Sequence, residues 1–200
     1  MVPRSHIGEW IEEKFEPWLD SSKIHRVLDL CCGGGSIGIA CALYMEQVRV
    51  DLADLSADAL AVARQNIENY QLAERVNIIH SDLFEAVEAQ YDLIVCNPPY
   101  VSLQNMEKLP TEYRYEPEMA LTAGQRGLDT IAHILKQAHQ YLTDHGALIL
   151  EAGTAAPQLE AALEAVPMTW LMSASGESVV LLITKKELHR HASILRQLTA

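Results

Sequence analysis

Basic residues are scarce in this 200-residue sequence: 15 Lys and Arg stand against 27 Asp and Glu, a formal charge of -12. Neutralising a nucleic-acid backbone takes clustered Lys and Arg, so the balance argues against a broad nucleic-acid-binding surface. Apolar runs are short, and none approaches the roughly 18 residues of a membrane span. No signal peptide is visible at the front, which points to a cytoplasmic protein with no membrane partner. Cysteine is sparse too. Cys31, Cys32, Cys41 and Cys96 form no C-x-x-C pair, and three of them sit in apolar stretches. They read as buried or near-buried thiols, and no metal site is expected. Internal repeats, low-complexity tracts and linkers are absent. The 49% hydrophobic content suffices for one domain with a sizeable core.

Within that frame the chain alternates strand and helix patterns. Ile7, Trp10, Ile11 and Phe15 recur at helical spacing and predict an opening helix over about residues 5–19. Residues 26–30 read as the first strand, 37–45 as the first crossover helix, and 48–54 as the second strand. Ser56 is a good N-cap for a helix over 57–70, with Leu60, Ala63 and Ile67 on its inner stripe. Strands follow at 76–80 and 93–96, then a long connection over 101–126. A helix over 128–141 should turn Ile131, Ile134, Leu135 and Ala138 inward. A strand at 147–151, a helix at 157–165, strands at 169–174 and 179–184, and a terminal helix at 186–198 complete the pattern. Such alternation predicts an α/β fold with a doubly wound, mostly parallel sheet. The last two strands are joined by few residues, so they should pair antiparallel.

The chain is organised around Tyr91-Asp-Leu-Ile-Val-Cys-Asn-Pro-Pro-Tyr100. Its apolar part reads as a strand buried on both faces, and ligands of open α/β sheets bind outside the carboxyl ends of the strands. Two prolines hold Asn97 and Pro98 stiffly at that end. An Asn side chain, a proline carbonyl and the flat face of Tyr100 together suit a planar NH2 group that donates two hydrogen bonds. Gly33, Gly35 and Gly38 fit G-x-G-x-x-G between a strand and a helix, a turn that lets a ligand approach the backbone. Asp54, at the end of the second strand, can accept both hydroxyls of a ribose. Asp82, just past the third strand, can accept from an adenine amino group or cap a turn.

To this point a nicotinamide cofactor and S-adenosylmethionine fit equally. Asp29, four residues before Gly33, can face a cationic amino-acid tail, and Asn97 to Tyr100 stand beside the same crevice. Hydride transfer does not need that amide-binding kit, whereas methylation of a planar nitrogen does.

The chain resembles the bacterial S-adenosylmethionine-dependent protein-glutamine N-methyltransferases, whose substrate motif is N-P-P-Y. Val2-Pro-Arg-Ser5, Leu109-Pro-Thr-Glu-Tyr-Arg-Tyr-Glu-Pro-Glu118 and Val166-Pro-Met-Thr-Trp-Leu171 look like the branch acting on the third large-subunit ribosomal protein. The other branch methylates translation release factors. The resemblance implies a Rossmann-like class I methyltransferase fold of seven strands with an antiparallel C-terminal strand. It implies a cofactor site of Asp29, Gly33, Gly35, Asp54, Asp82 and Asn97, with Asn97, Pro98, Pro99 and Tyr100 holding the glutamine amide. Asn97, Pro98 and Tyr100 are then the catalytic residues. It further implies a ribosomal-protein substrate met before assembly, Arg4 reaching the site, and residues 1–200 as the catalytic domain without the family's N-terminal helical docking domain. Cys31-Cys-Gly-Gly-Gly35, Glu151-Ala-Gly-Thr154 and Gly176-Glu-Ser178 depart from the family's usual wording without removing a named chemical group. A base-methylating enzyme and a non-catalytic cofactor-binding assembly factor remain alternatives.

Overall fold

The computed structural model describes residues 5–99 and 128–198. Seven strands form one sheet in the order β3-β2-β1-β4-β5-β7-β6. In chain order these are Arg26–Leu30 (β1), Arg49–Asp54 (β2), Val76–His80 (β3), Tyr91–Cys96 (β4), Leu142–Glu151 (β5), Thr169–Leu171 (β6) and Val180–Thr184 (β7). The first five run parallel, and β7 is antiparallel to both β5 and β6. Every residue of β4 is buried, as a central strand covered on both faces requires.

Helices cover the two faces. Gly8–Ile11 (α1), Ser36–Tyr44 (α2) and Ala57–Asn69 (α3) share a core with Val27, Val50, Leu52, Val95 and Ile149. Asp129–Tyr141 (α4), Ala156–Ala162 (α5), Lys185–Arg190 (α6) and Ala192–Leu195 (α7) cover the other, against Leu28, Ile94, Leu148 and Leu150. Ser56 caps α3 as expected, its hydroxyl accepting from Ala59 N at 3.2 Å, a contact of the kind worth about 1 kcal/mol. Ile131, Ile134, Leu135 and Ala138 are fully buried on α4.

Three elements differ most from the sequence reading, and β6 and α5 also end three residues earlier than read, at Leu171 and Ala162. The opening helix ends at Ile11, because Lys14 and Phe15 take left-handed φ values of 52° and 64°, which a right-handed helix cannot accommodate. Ile7, Ile11 and Phe15 are nonetheless fully buried, so the apolar spacing marked a core contact rather than a continuous helix. Strand β5 starts at Leu142 instead of residue 147. Its polar beginning is held by Asp92, which accepts from Thr143 Oγ1 and pairs with His145 Nε2, each at 2.9 Å. The terminal helix is two short ones, α6 and α7, broken at His191 (φ -101°, ψ 15°).

The chain reaches β1, winds outward through β2 and β3, then returns across β1 to β4. The direction of winding therefore reverses between β1 and β4, and the crevice above their carboxyl ends is the expected ligand site.

Candidate active site

The glycine turn sits at that reversal. Cys32 N donates to Ala53 O at 3.0 Å and Gly35 N to Cys32 O at 2.8 Å, so the turn is tied to the end of β2 and then folds onto α2. Gly33 and Gly35 have φ of 54° and 79°, a region open to glycine at little cost. A Cβ on Gly35 would also lie 2.7 Å from Leu52 Cδ1. From α3, Asn66 Nδ2 donates to Gly34 O at 2.9 Å. Sequence reasoning passed over Asn66. Its one signal is its place beside the inner stripe, three residues after Ala63 and four after Val62, both of which approach the turn.

Two carboxylates organise this turn. Asp54, half-buried at the end of β2, accepts from Gly33 N through Oδ2 and from Ser56 N through Oδ1, each at 2.8 Å. Asp29 lies in β1 between Leu52 and Val95 and is fully buried. Its Oδ2 accepts from Gly38 N at 2.7 Å, while its Oδ1 is buried without a hydrogen-bond partner. Burial pushes the Asp29 carboxyl up to about 7; the Gly38 amide opposes that rise and the Asp54 charge adds to it. A cation placed against Oδ1 would satisfy the orphan oxygen and bring the carboxyl back to its ionised form. The turn therefore suits a ligand that combines a nucleoside with a cationic tail.

The other predicted residues fall around the same crevice. Asn97 is half-buried and Pro98 buried immediately past β4, with Pro99 half-buried after them. Since Leu30 pairs with Cys96, Asn97 comes level with the start of the glycine turn. Asp82 is exposed in the turn after β3. The cap of that turn is Ser81, whose hydroxyl donates to Leu83 O at 2.8 Å and accepts from Ala86 N at 2.9 Å, leaving the Asp82 carboxylate outside the capping bonds. Ser81 N donates to Asp54 O at 3.0 Å, which ties the ends of β2 and β3 together. Tyr100, Arg4, Glu116, Glu118 and the 101–126 connection lie outside the described residues.

All four cysteines are free thiols, three of them buried and Cys31 partly so. Burial pushes the Cys32, Cys41 and Cys96 thiols up, away from the reactive thiolate. Among the described residues no cluster of three or more His, Cys, Asp or Glu side chains can hold a metal ion, and no helix is long and apolar enough to cross a membrane.

The glycine turn, the reversal at β1 and β4, and the antiparallel β7 define a class I methyltransferase fold. A solved methyltransferase from Pyrococcus furiosus superposes with a TM-score of 0.64 over 92% of this chain and 84% of its own, at 16% identity. A family model, Methyltransferase small domain, matches residues 15–112. The chain is 45% identical over 199 residues to a "Ribosomal protein uL3 glutamine methyltransferase" of Francisella tularensis, covering 98% of this chain and 63% of that one. It is 43% identical over 189 residues to a protein of the same name from Neisseria meningitidis, covering 94% and 62%. The likeness to these relatives runs over most of this chain, which spans a little under two thirds of their length.

Proposed function

We propose that this chain is the catalytic domain of an S-adenosylmethionine-dependent enzyme that methylates a glutamine side-chain amide in ribosomal protein uL3. The names of the relatives support the substrate. The observation that carries the chemistry is the placement of Asn97 and Pro98 at the end of β4, beside a glycine turn whose Asp29 keeps a buried oxygen unpartnered.

Asp29 Oδ1 would accept from the cofactor's ammonium group, Asp54 from its ribose hydroxyls, and Gly33 to Gly35 would let it approach the backbone. Asp82 would lie at the adenine end. When bound, the cofactor supplies a methyl group already activated on a sulfonium. The chain's task is then to place a nitrogen in line with that methyl. The side-chain oxygen of Asn97 and the carbonyl of Pro98 would accept the two N–H bonds of the glutamine amide. Those acceptors hold the nitrogen and favour the positive charge that develops on it. Pro99 fixes the backbone beyond them, and Tyr100 would lie against the amide plane. The nitrogen loses one proton to solvent after transfer.

The partner is a single ribosomal protein, met in the cytoplasm before the large subunit assembles. Incubating the chain with isotope-labelled S-adenosylmethionine and either isolated uL3 or assembled large subunits tests the reading. Tandem mass spectrometry should place the label on one glutamine of the free protein. Label on nucleic acid, or none on uL3, overturns it.

A further inference from the structure

Glu151, the last residue of β5, is a carboxylate only 1% exposed at the carboxyl-end rim of the sheet. Both described partners of its Oε2 come from the opposite end of the sequence: Ser5 Oγ donates at 2.6 Å and His6 N at 2.9 Å. The Ser5 hydroxyl also accepts from Ile7 N at 3.2 Å. The same segment is fastened a second time, to the turn between β6 and β7. There Glu9 Oε2 accepts from Ala174 N at 2.7 Å, and His6 Nε2 lies 3.4 Å from Glu177 Oε2. A buried carboxylate is costly unless its hydrogen bonds are made, and here the segment over residues 5–9 makes them.

The position of this contact bears on the reaction. Cys96 pairs with Leu150, so Asn97 and Glu151 are the next residues on neighbouring parallel strands, roughly 5 Å apart at Cα. Strand alternation gives them one face, that of Val95 and Ile149. In the sheet order, Asp29, Asp54 and the glycine turn lie on the β1 and β2 side of Asn97, whereas Glu151 lies on the β5 side. We infer that Glu151 is a positioning residue for the methyl acceptor: it latches the 5–9 segment onto the rim, where that segment forms the wall facing Asn97 from the side opposite the cofactor. This rests on the reading of Asn97 as the amide-holding residue.

The test compares wild type with Glu151→Ala, Glu151→Gln and Ser5→Ala. Calorimetry with S-adenosylmethionine should give affinities within about twofold of wild type for all three variants, since none of them changes Asp29, Asp54 or the glycine turn. For isolated uL3, kcat/KM should fall at least tenfold in Glu151→Ala and recover in part in Glu151→Gln, whose amide oxygen still accepts from Ser5 and His6. Ser5→Ala should fall less, and adding it to Glu151→Ala should change nothing further, because both remove one contact. Hydrogen exchange of the amides from His6 to Glu9 should quicken in Glu151→Ala. Unchanged acceptor kinetics, an equal loss of cofactor affinity, or unchanged exchange would overturn the inference. If wild type methylates no glutamine, the proposed function fails on its own, and the exchange measurement still decides whether Glu151 holds the segment.

Discussion

Asp29 should make the protein less stable as pH rises, and removing its charge should abolish that trend. Its folded-state value is raised from 3.8 to about 7, so between these values the folded chain holds a proton that the unfolded chain has released. Stability therefore falls as pH climbs toward 7 and levels off above it. The slope is close to 1.4 kcal/mol per unit near about pH 5.5 and roughly half that at about pH 7, so roughly 2 kcal/mol is lost between about pH 5.5 and about pH 8.5. In Asp29→Asn the amide oxygen still accepts from Gly38 N, and no charge is buried at high pH. Urea unfolding should show wild type losing about 2 kcal/mol more than the variant between about pH 5.5 and pH 8.5. At the higher pH the variant should be at least as stable as wild type, yet its affinity for S-adenosylmethionine should fall tenfold or more. Parallel stability curves across that pH range would refute the reasoning, because they would mean that Asp29 is neutral or ionised throughout.

The other expectations separate holding from reacting. Asn97→Ala should lower turnover by about 10²–10³, the scale of removing one preorganised polar group, with cofactor affinity nearly unchanged in calorimetry; turnover near wild type would mean the amide is held elsewhere. Asp54→Ala should weaken cofactor binding by roughly 1.5–3 kcal/mol, since it both removes a ribose acceptor and frees Gly33 N and Ser56 N; unchanged affinity would place the ribose at another site. In Gly38→Ala the new methyl would lie 2.3 Å from Leu52 Cδ2 and 2.9 Å from Asp29 Cβ, so overpacking of about 1–3 kcal/mol should outweigh the roughly 1 kcal/mol that alanine gains in a helix. A variant more stable than wild type in urea unfolding would contradict the close approach of α2 to β1.

Local signals placed most of the frame. The strand at Arg26–Leu30 and the helix at Ala57–Asn69 were legible because an apolar run and a Ser N-cap act within a few residues. Their order along the chain then put Asp29, Gly33, Gly35, Asp54 and Asn97 at one end of the sheet. What stayed hidden depends on contacts between distant residues. Asn66 reaches Gly34 across 32 positions and Glu151 reaches Ser5 across 146; the place of Asn66 beside the inner stripe of its helix is the one local hint of either bond. The opening helix failed for a different reason. Ile7, Ile11 and Phe15 bury themselves at helical spacing, but backbone turns at Lys14 and Phe15 satisfy the same pattern.

The two ends of the sheet treat their buried carboxylates differently. At the amino ends of the strands, Asp51 accepts from Arg26 Nη2 and Tyr91 Oη through one oxygen and from Asn77 Nδ2 through the other. Asp92 accepts from His25 N and Arg26 N through Oδ2 and from Thr143 through Oδ1; burial pushes its carboxyl up, but these bonds outweigh it and hold the group below the usual range. At the carboxyl ends, burial wins: Asp29 and Glu151 are both pushed up, despite the bonds from Gly38 and from Ser5 and His6. A fold gains nothing from an unpartnered buried oxygen, which costs about 1–3 kcal/mol. On the proposed reading, the cofactor's ammonium group would relieve that cost at Asp29 Oδ1, which is why the Asp29→Asn variant should gain stability at high pH while losing cofactor affinity.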